Sequence, residues 1–195
     1  LSQRGPLKGK KFIITAGRTF EPIDPVRGLT NRSSGKQGYA LSQAALDRGA
    51  EVVLITGPTD LATPSGAQRI NIQTATEMRD EVFKALPGAA ALIMAAAVAD
   101  FRPSVTSEHK TKKVDGVPEI QLEPTPDILS EIRIEKEKNG YPLVSVGFAA
   151  ESRDLLINAQ SKLEAKQLDL IVANDISAAD AGFAVDTNRV TILDA

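Results

Sequence analysis

The 195-residue chain contains no cysteine and a single histidine, His109. The first absence removes disulfides, thiolate nucleophiles and every cysteine-ligated zinc or iron–sulfur site. The second leaves a Ser-His-Asp triad or a two-histidine metal centre almost nothing to be built from. His109 lies in a polar stretch and is assigned no role, and no side chain is assigned to a metal. An excess of charge is missing too: 23 Lys and Arg stand against 25 Asp and Glu, a net charge of −2. A protein built to grip nucleic acid carries a basic surplus, so no such partner is expected. The longest apolar run, Ala89 to Ala99, covers only about half a membrane span. The N-terminal LSQRGPLKGKK has no apolar signal core. Together with the missing cysteine this points to a cytoplasmic location without a membrane partner. What remains for chemistry is lysine, asparagine, carboxylates, hydroxyls and backbone amides.

The length suits one domain over residues 1–195. The chain does not begin with Met and stops at Asp194-Ala195 directly after an expected strand. It reads as a piece of a longer polypeptide, with residues 1–8 a tail or linker remnant and the C-terminal part of the domain missing. Short β-branched runs alternate with helical patterns along it. Strands are expected at Phe12 to Gly17, Glu51 to Gly57, Arg69 to Ala75, within Ala90 to Asp100 (central, being almost wholly apolar), Leu143 to Ala150 and Leu168 to Asn174. A last strand, Arg189 to Asp194, alternates and suits an antiparallel edge. Helices are expected from Ser34 to about Arg48, from a Thr76 cap to Leu86, from Pro126 in the first turn to about Lys138, and from Asp154 to Gln167. This is a doubly wound α/β fold: a mostly parallel, Rossmann-like sheet with helices on both faces.

Such sheets bind ligands beyond the carboxyl ends of their strands. Two connections there, 18–33 and 101–125, far exceed the usual length and read as long active-site loops. The second carries a possible hairpin pivot at Asp115-Gly116. Asn31-Arg32-Ser33-Ser34-Gly35-Lys36-Gln37-Gly38 feeds the first helix with capping serines, permissive glycines and the positive end of a helix dipole, which together suit a phosphate. It is no Walker A loop, because Thr30 stands where the first glycine belongs and Gln37 where Ser or Thr should follow Lys36. Asp100, taken as the end of the central strand, could hold ribose hydroxyls. Lys110-Thr111-Lys112-Lys113 could close over a polyphosphate, or simply be solvated. Lys162 and Lys166 share one helical face, where an anion between them would relieve their repulsion. A nicotinamide-dependent Rossmann reductase is the rival. Yet no G-x-G-x-x-G follows the first strand, and Tyr39 and Tyr141 are followed four residues later by Gln43 and Ser145, where a short-chain dehydrogenase needs lysine. A non-catalytic nucleotide-binding assembly domain is the third possibility.

The loops are more specific together than singly. GRTFEPIDPVR (17–27), NRSSGKQG (31–38), AAAVADF (95–101), KTKK (110–113), TPDIL (125–129), GFAAE (147–151) and ANDIS (173–177) occur in this order. Over about Leu7 to Asp194 the chain resembles phosphopantothenate–cysteine ligase, the CTP-dependent synthetase of bacterial coenzyme A biosynthesis. In many bacteria that domain is fused behind a flavin-dependent decarboxylase. The resemblance implies that 4′-phosphopantothenate and cysteine are ligated through an acyl-cytidylate, with CTP as substrate and Mg²⁺ accompanying it. It implies a homodimer, or a higher assembly through the fused decarboxylase. It implies that Asn31 and Lys110 are catalytic, Lys110 on a flap. A nucleotide site is implied at Gly17, Ser33, Ser34, Gly35, Ala96, Asp100, Phe101, Lys110, Pro126, Asp127, Ile128, Leu129, Phe148, Lys162 and Lys166.

Overall fold

A computed structural model describes residues 5–112, 116, 119–151, 154–175 and 188–195. Lys113, Asp115, Ile176 and Ser177, which belong to motifs read above, lie outside the described residues. In chain order the elements are β1 (Lys11–Ala16), β2 (Phe20–Pro22), β3 (Gly28–Thr30), α1 (Lys36–Asp47), β4 (Glu51–Thr56), β5 (Gln68–Asn71), α2 (Ala75–Ala85), β6 (Ala89–Met94), β7 (Phe101–Pro103), β8 (Leu122–Pro124), α3 (Ile128–Asn139), β9 (Val144–Glu151), α4 (Leu155–Lys166), β10 (Leu170–Asp175) and β11 (Val190–Asp194).

Seven strands form one sheet in the order β11-β10-β9-β6-β1-β4-β5. All neighbours are parallel except β10 and β11, which pair antiparallel at the edge. The order runs outward from β1 through β4 to β5, then returns through β6 on the other side of β1. The β1/β6 boundary is therefore the switch point. The apolar Ala89–Met94 run lies mid-sheet, where both faces are covered and no polar alternation is needed.

Successive residues of β1 serve opposite faces. Ile13 packs with Val53, Ile55, Met78, Val82, Leu92, Ile128 and Ile132 under α2 and α3. Ile14 and Ala16 pack with Tyr39, Ala45, Val52 and Leu54 under α1. A third cluster joins Ala159 and Leu163 of α4 to Ile171 and Ala173, and Leu129 bridges it to the α2/α3 core. The contact of α1 with β1 is close. A Cβ on Gly38 would lie 2.6 Å from the Ala16 Cβ and 2.8 Å from the Thr15 carbonyl oxygen.

Helix starts and two strand ends differ from the sequence expectation. α1 begins after Gly35, whose φ of 83° makes it the N-cap in place of Ser34. α2 is capped by Thr74, because Thr74 and Glu77 form a reciprocal capping box and Thr76 has Arg79, not an acid, at the matching position. Asp127 caps α3 by accepting from the Ser130 N–H, which leaves Pro126 just outside the helix. β5 ends at Asn71, and β6 at Met94, six residues before Asp100. Both long connections contain short antiparallel ladders, β2 with β3 and β7 with β8.

The closeness of α1 makes a prediction. Gly38→Ala is expected to destabilise the fold by about 1–3 kcal/mol, because the added methyl meets backbone and strand side chain. Urea unfolding midpoints of the two proteins check it, and an unchanged midpoint would contradict the packing described.

Candidate active site

A cleft of about 940 Å³ opens at the carboxyl ends of β6, β9 and β10. Its walls are Asn31 and Ser33 to Gln37 ahead of and within the first turn of α1, Met94 to Asp100 after β6, Pro124 to Leu129 leading into α3, Phe148 to Ala150 in β9, and Lys162 and Lys166 on α4. It therefore sits beside the switch point, where two neighbouring chains turn away from each other.

Residues beyond Met94 leave the sheet ladder, and side chains hold them instead. The fully buried Thr15 hydroxyl accepts from the Ala96 N–H at 3.1 Å, and the fully buried Thr19 hydroxyl accepts from the Ala99 N–H at 2.9 Å. Ala97 donates to the Gly17 carbonyl at 2.9 Å, and its own carbonyl accepts from the Thr19 N–H at 3.2 Å and from Asn31 Nδ2 at 3.0 Å. Asp100 is thus a loop residue rather than a strand terminus. It is side-chain exposed on the cleft wall, with its backbone carbonyl accepting from Thr125 N–H at 3.0 Å.

On the opposite side, the first turn of α1 has no acidic residue, and Gly35 carries no capping side chain. Ser33 and Ser34 hydroxyls accept weakly from the N–H groups of Gly35 and Lys36, at 3.3 and 3.5 Å. The N-terminal amides of α1 therefore face the cleft without a carboxylate of their own, as an anion site requires. The lysines of α4 have protein partners. Lys162 Nζ donates to the Phe148 carbonyl at 2.8 Å. Lys166 Nζ pairs with the Asp127 carboxylate and donates to Ser130 Oγ at 2.8 Å. Burial pushes the Asp127 carboxyl up, but Lys166 and the N–H and hydroxyl of Ser130 outweigh it and hold the group below its ordinary value.

Every site residue named from the sequence lines this cleft except Gly17, Phe101 and Lys110. Gly17 (φ 75°) packs behind the wall and supports Ala97. Phe101 is 54% exposed in β7, and Lys110 is exposed on the long loop. The cleft also takes in Lys36, Gln37, Val98, Thr125 and Asn174, which lie in segments read from the sequence but not named there as site residues, and Asn188, which sequence reasoning passed over. Among the described residues Asn174 Oδ1 is buried without a hydrogen-bond partner, and Asn188 Nδ2 donates to Gln37 Oε1 at 3.1 Å. The position of Asn174 at the carboxyl end of a parallel strand is the signal that marks it.

Fold and cleft define a doubly wound α/β protein with an anion-suited pocket at its topological switch. The chain belongs to the family described as DNA/pantothenate metabolism flavoprotein C-terminal domain, which matches residues 7–195. It is 50% identical over 188 residues to coenzyme A biosynthesis bifunctional protein CoaBC of Bacillus subtilis (strain 168), covering 96% of this chain and 45% of that protein. It is 45% identical over 192 residues to the protein of the same name from Vibrio vulnificus (strain YJ016), covering 97% of this chain and 47% of the relative. The chain thus spans about half the length of these curated relatives. Among solved structures, the C-terminal domain of CoaBC is similar at TM-score 0.80 and 38% identity, over 98% of this chain and 84% of that one.

The Asp127 environment gives a pH prediction. A carboxyl held below its ordinary value of 3.8 contributes stability that is present above that value and lost as pH falls through its folded-state pKa. The stability difference between the parent and Asp127→Asn is therefore expected to be constant from neutral pH to about pH 5 and to vanish below 3.8. Denaturant titrations across that range measure it. A difference that grows on acidification would contradict the assignment.

Proposed function

We propose that this chain is the ligase domain that joins 4′-phosphopantothenate to cysteine, using CTP, to form phosphopantothenoylcysteine in coenzyme A biosynthesis. The observation that carries the proposal is convergence: Asn31, Ser33 to Gln37, Ala95 to Asp100, Pro126 to Leu129, Phe148, Lys162 and Lys166, scattered through the sequence, surround one cleft.

In the first step a phosphopantothenate carboxylate oxygen bonds to the α-phosphorus of CTP as the bond to pyrophosphate breaks. The leaving group is strongly anionic, and the first turn of α1 with Lys36, Lys162 and Lys166 supplies fixed positive potential for it. An incoming phosphate competes with Asp127 for Lys166, while Asp127 keeps its cap on α3. Asp100 accepts from the ribose hydroxyls, and Ala96 and Phe148 shape the cytidine pocket. Mg²⁺ arrives with the nucleotide. The polyphosphate is itself a set of hard oxygen ligands for that cation.

In the second step the cysteine amine attacks the acyl carbon, CMP departs, and the amine proton is lost to solvent. A carboxamide has two N–H donors. Asn31 gives one to Ala97, and the other donates to the acyl oxygen as negative charge builds there. Lys110 belongs to a flap over the intermediate, limiting its hydrolysis. The same reading carries a cytoplasmic homodimer with a flavin-dependent decarboxylase fused ahead of the domain.

Pyrophosphate release in the presence of 4′-phosphopantothenate, cysteine and CTP is the test. Turnover with CTP and much less with ATP is expected. No turnover with any nucleotide would overturn the ligase reading, and ATP preference would overturn the nucleotide assignment. NADPH protection in thermal unfolding, with none from CTP, would return the reductase alternative. Asn31→Asp is expected to slow the cysteine step by about 10²–10³ and to accumulate acyl-cytidylate detectable by mass spectrometry. Product formation at the parent rate would remove Asn31 from this role.

A further inference from the structure

The lysine-bearing loop is held at Thr111. Asp24, 1% exposed, accepts the N–H groups of Val26 and Arg27 on Oδ1, both at 2.9 Å. Its Oδ2 accepts Arg27 Nε at 3.0 Å, pairs with Arg27 Nη2, and accepts the Thr111 N–H at 3.3 Å. Arg27 Nη2 then donates to the Thr111 carbonyl at 2.9 Å. Both peptide groups of Thr111 are thus held, one by each member of an ion pair, and the flanking residues are Lys110 and Lys112. A second attachment lies just upstream. Ser107 N–H donates to the Ile23 carbonyl at 2.9 Å, and Thr106 Oγ1 donates to the Pro22 carbonyl at 3.2 Å.

None of residues 20–27 lines the cleft. The Asp24 carboxylate bonds to Arg27, to the Val26 N–H and to the loop, and Arg27 Nε and Nη2 bond to Asp24 and to the loop. Surrounding donors also hold the Asp24 carboxyl well below the ordinary carboxylate range, with Arg27 the largest cause and the backbone amides of Val26, Arg27 and Thr111 adding to it against the effect of burial. The pair therefore stays charged at any pH near neutrality.

We propose that Asp24 and Arg27 are positioning residues: they grip Thr111 by both of its peptide groups and so set where Lys110 stands relative to the cleft. A lysine on a loop of this length samples a wide volume. Fixing the backbone beside it confines that sampling, which raises its effective concentration at the site. A charge-assisted clamp with one buried member suits this task, because the carboxylate and guanidinium orient each other before the loop docks. The link to catalysis rests on the role given to Lys110 under Proposed function. The clamp itself does not.

The test uses the full-length protein. Asp24→Asn puts an amide where Oδ2 stood, so that donors oppose the Arg27 guanidinium or the Thr111 N–H. Native-state trypsin cleavage after Lys110 and Lys112 is expected to accelerate at least about tenfold, with cleavage after Lys138 unchanged. The kcat for pyrophosphate release is expected to fall about 100-fold while KM for CTP stays within about threefold. In a Lys110→Ala background, Asp24→Asn is expected to add less than about threefold, because the two substitutions remove one function. If Asp24→Asn does not fold, Thr111→Pro deletes the donor from the loop side and carries the same expectations for kcat and for cleavage after Lys112. Unchanged cleavage would overturn the clamp. Accelerated cleavage with losses that multiply in the double variant would overturn its action through Lys110. A parent-like rate for Lys110→Ala alone would sink the role given to Lys110, and with it the catalytic half of the proposal, whereas the cleavage rates still decide the clamp.

Discussion

The cleft depends on the seam between β1 and β6. The two strands run parallel as far as the Thr15–Met94 pairing, and then their chains part. A segment that leaves a sheet must find other partners for its peptide groups, because burying them unpaired is costly. Here Thr15, Thr19 and Asn31 supply those partners for Ala96, Ala97 and Ala99. Small side chains on Ala95, Ala96, Ala97 and Ala99 leave the groove open, and the buried, β-branched Thr15 and Thr19 are restricted in χ1. On the far side of the seam, Gly38 lets α1 come down onto Ala16, which brings the amide end of the helix to the same cleft.

A site assembled in this way can stabilise charge without a nucleophile of its own. Its cations have internal partners at rest: Lys166 with Asp127, Lys162 with the Phe148 carbonyl. A polyanionic ligand replaces one set of partners by another, so part of its attraction is cancelled by what it displaces. That favours ligands with several phosphates over single carboxylates. Chemistry that activates a carboxylate through a nucleotide fits a protein with no cysteine and one histidine, because the leaving group is created on the substrate and the protein needs to orient and to balance charge.

The described residues of the two long connections are stitched to the body by polar contacts. Glu21, buried to 1% exposure, accepts the Ala75 N–H at 2.8 Å and so tethers β2 to the positive end of α2. Arg102 joins β7 to Glu123 of β8 and to Thr76 of α2. Long insertions cost little additional closure entropy. Besides these contacts, Pro22, Ile23, Asp24 and Arg27 tie Thr106, Ser107 and Thr111 of the lysine loop to residues 20–27.

The parallel sheet, its central β6 and the antiparallel edge β11 were legible in the sequence because apolar periodicity and helix–strand alternation are local properties. The α2 start was legible as well: Thr74 and Glu77 stand at capping-box spacing, and the preference for Thr76 overlooked Arg79 three residues on. Motif resemblance found most of the cleft wall residue by residue. It does not separate wall from support: Gly17, which the resemblance places in the nucleotide site, holds Ala97 from behind, and Asp100, expected at a strand end, comes six residues after the ladder stops at Met94. By itself the sequence determined the fold class, the ligand edge of the sheet and the chemical types available there. Only the tertiary structure decided that Lys166 is balanced by Asp127, that Asn174 carries a buried oxygen with no partner among the described residues, and that Asp24 and Arg27 grip Thr111. These pairings join residues separated by up to 87 positions, and no local pattern encodes which distant partner a polar group will meet once the chain has packed.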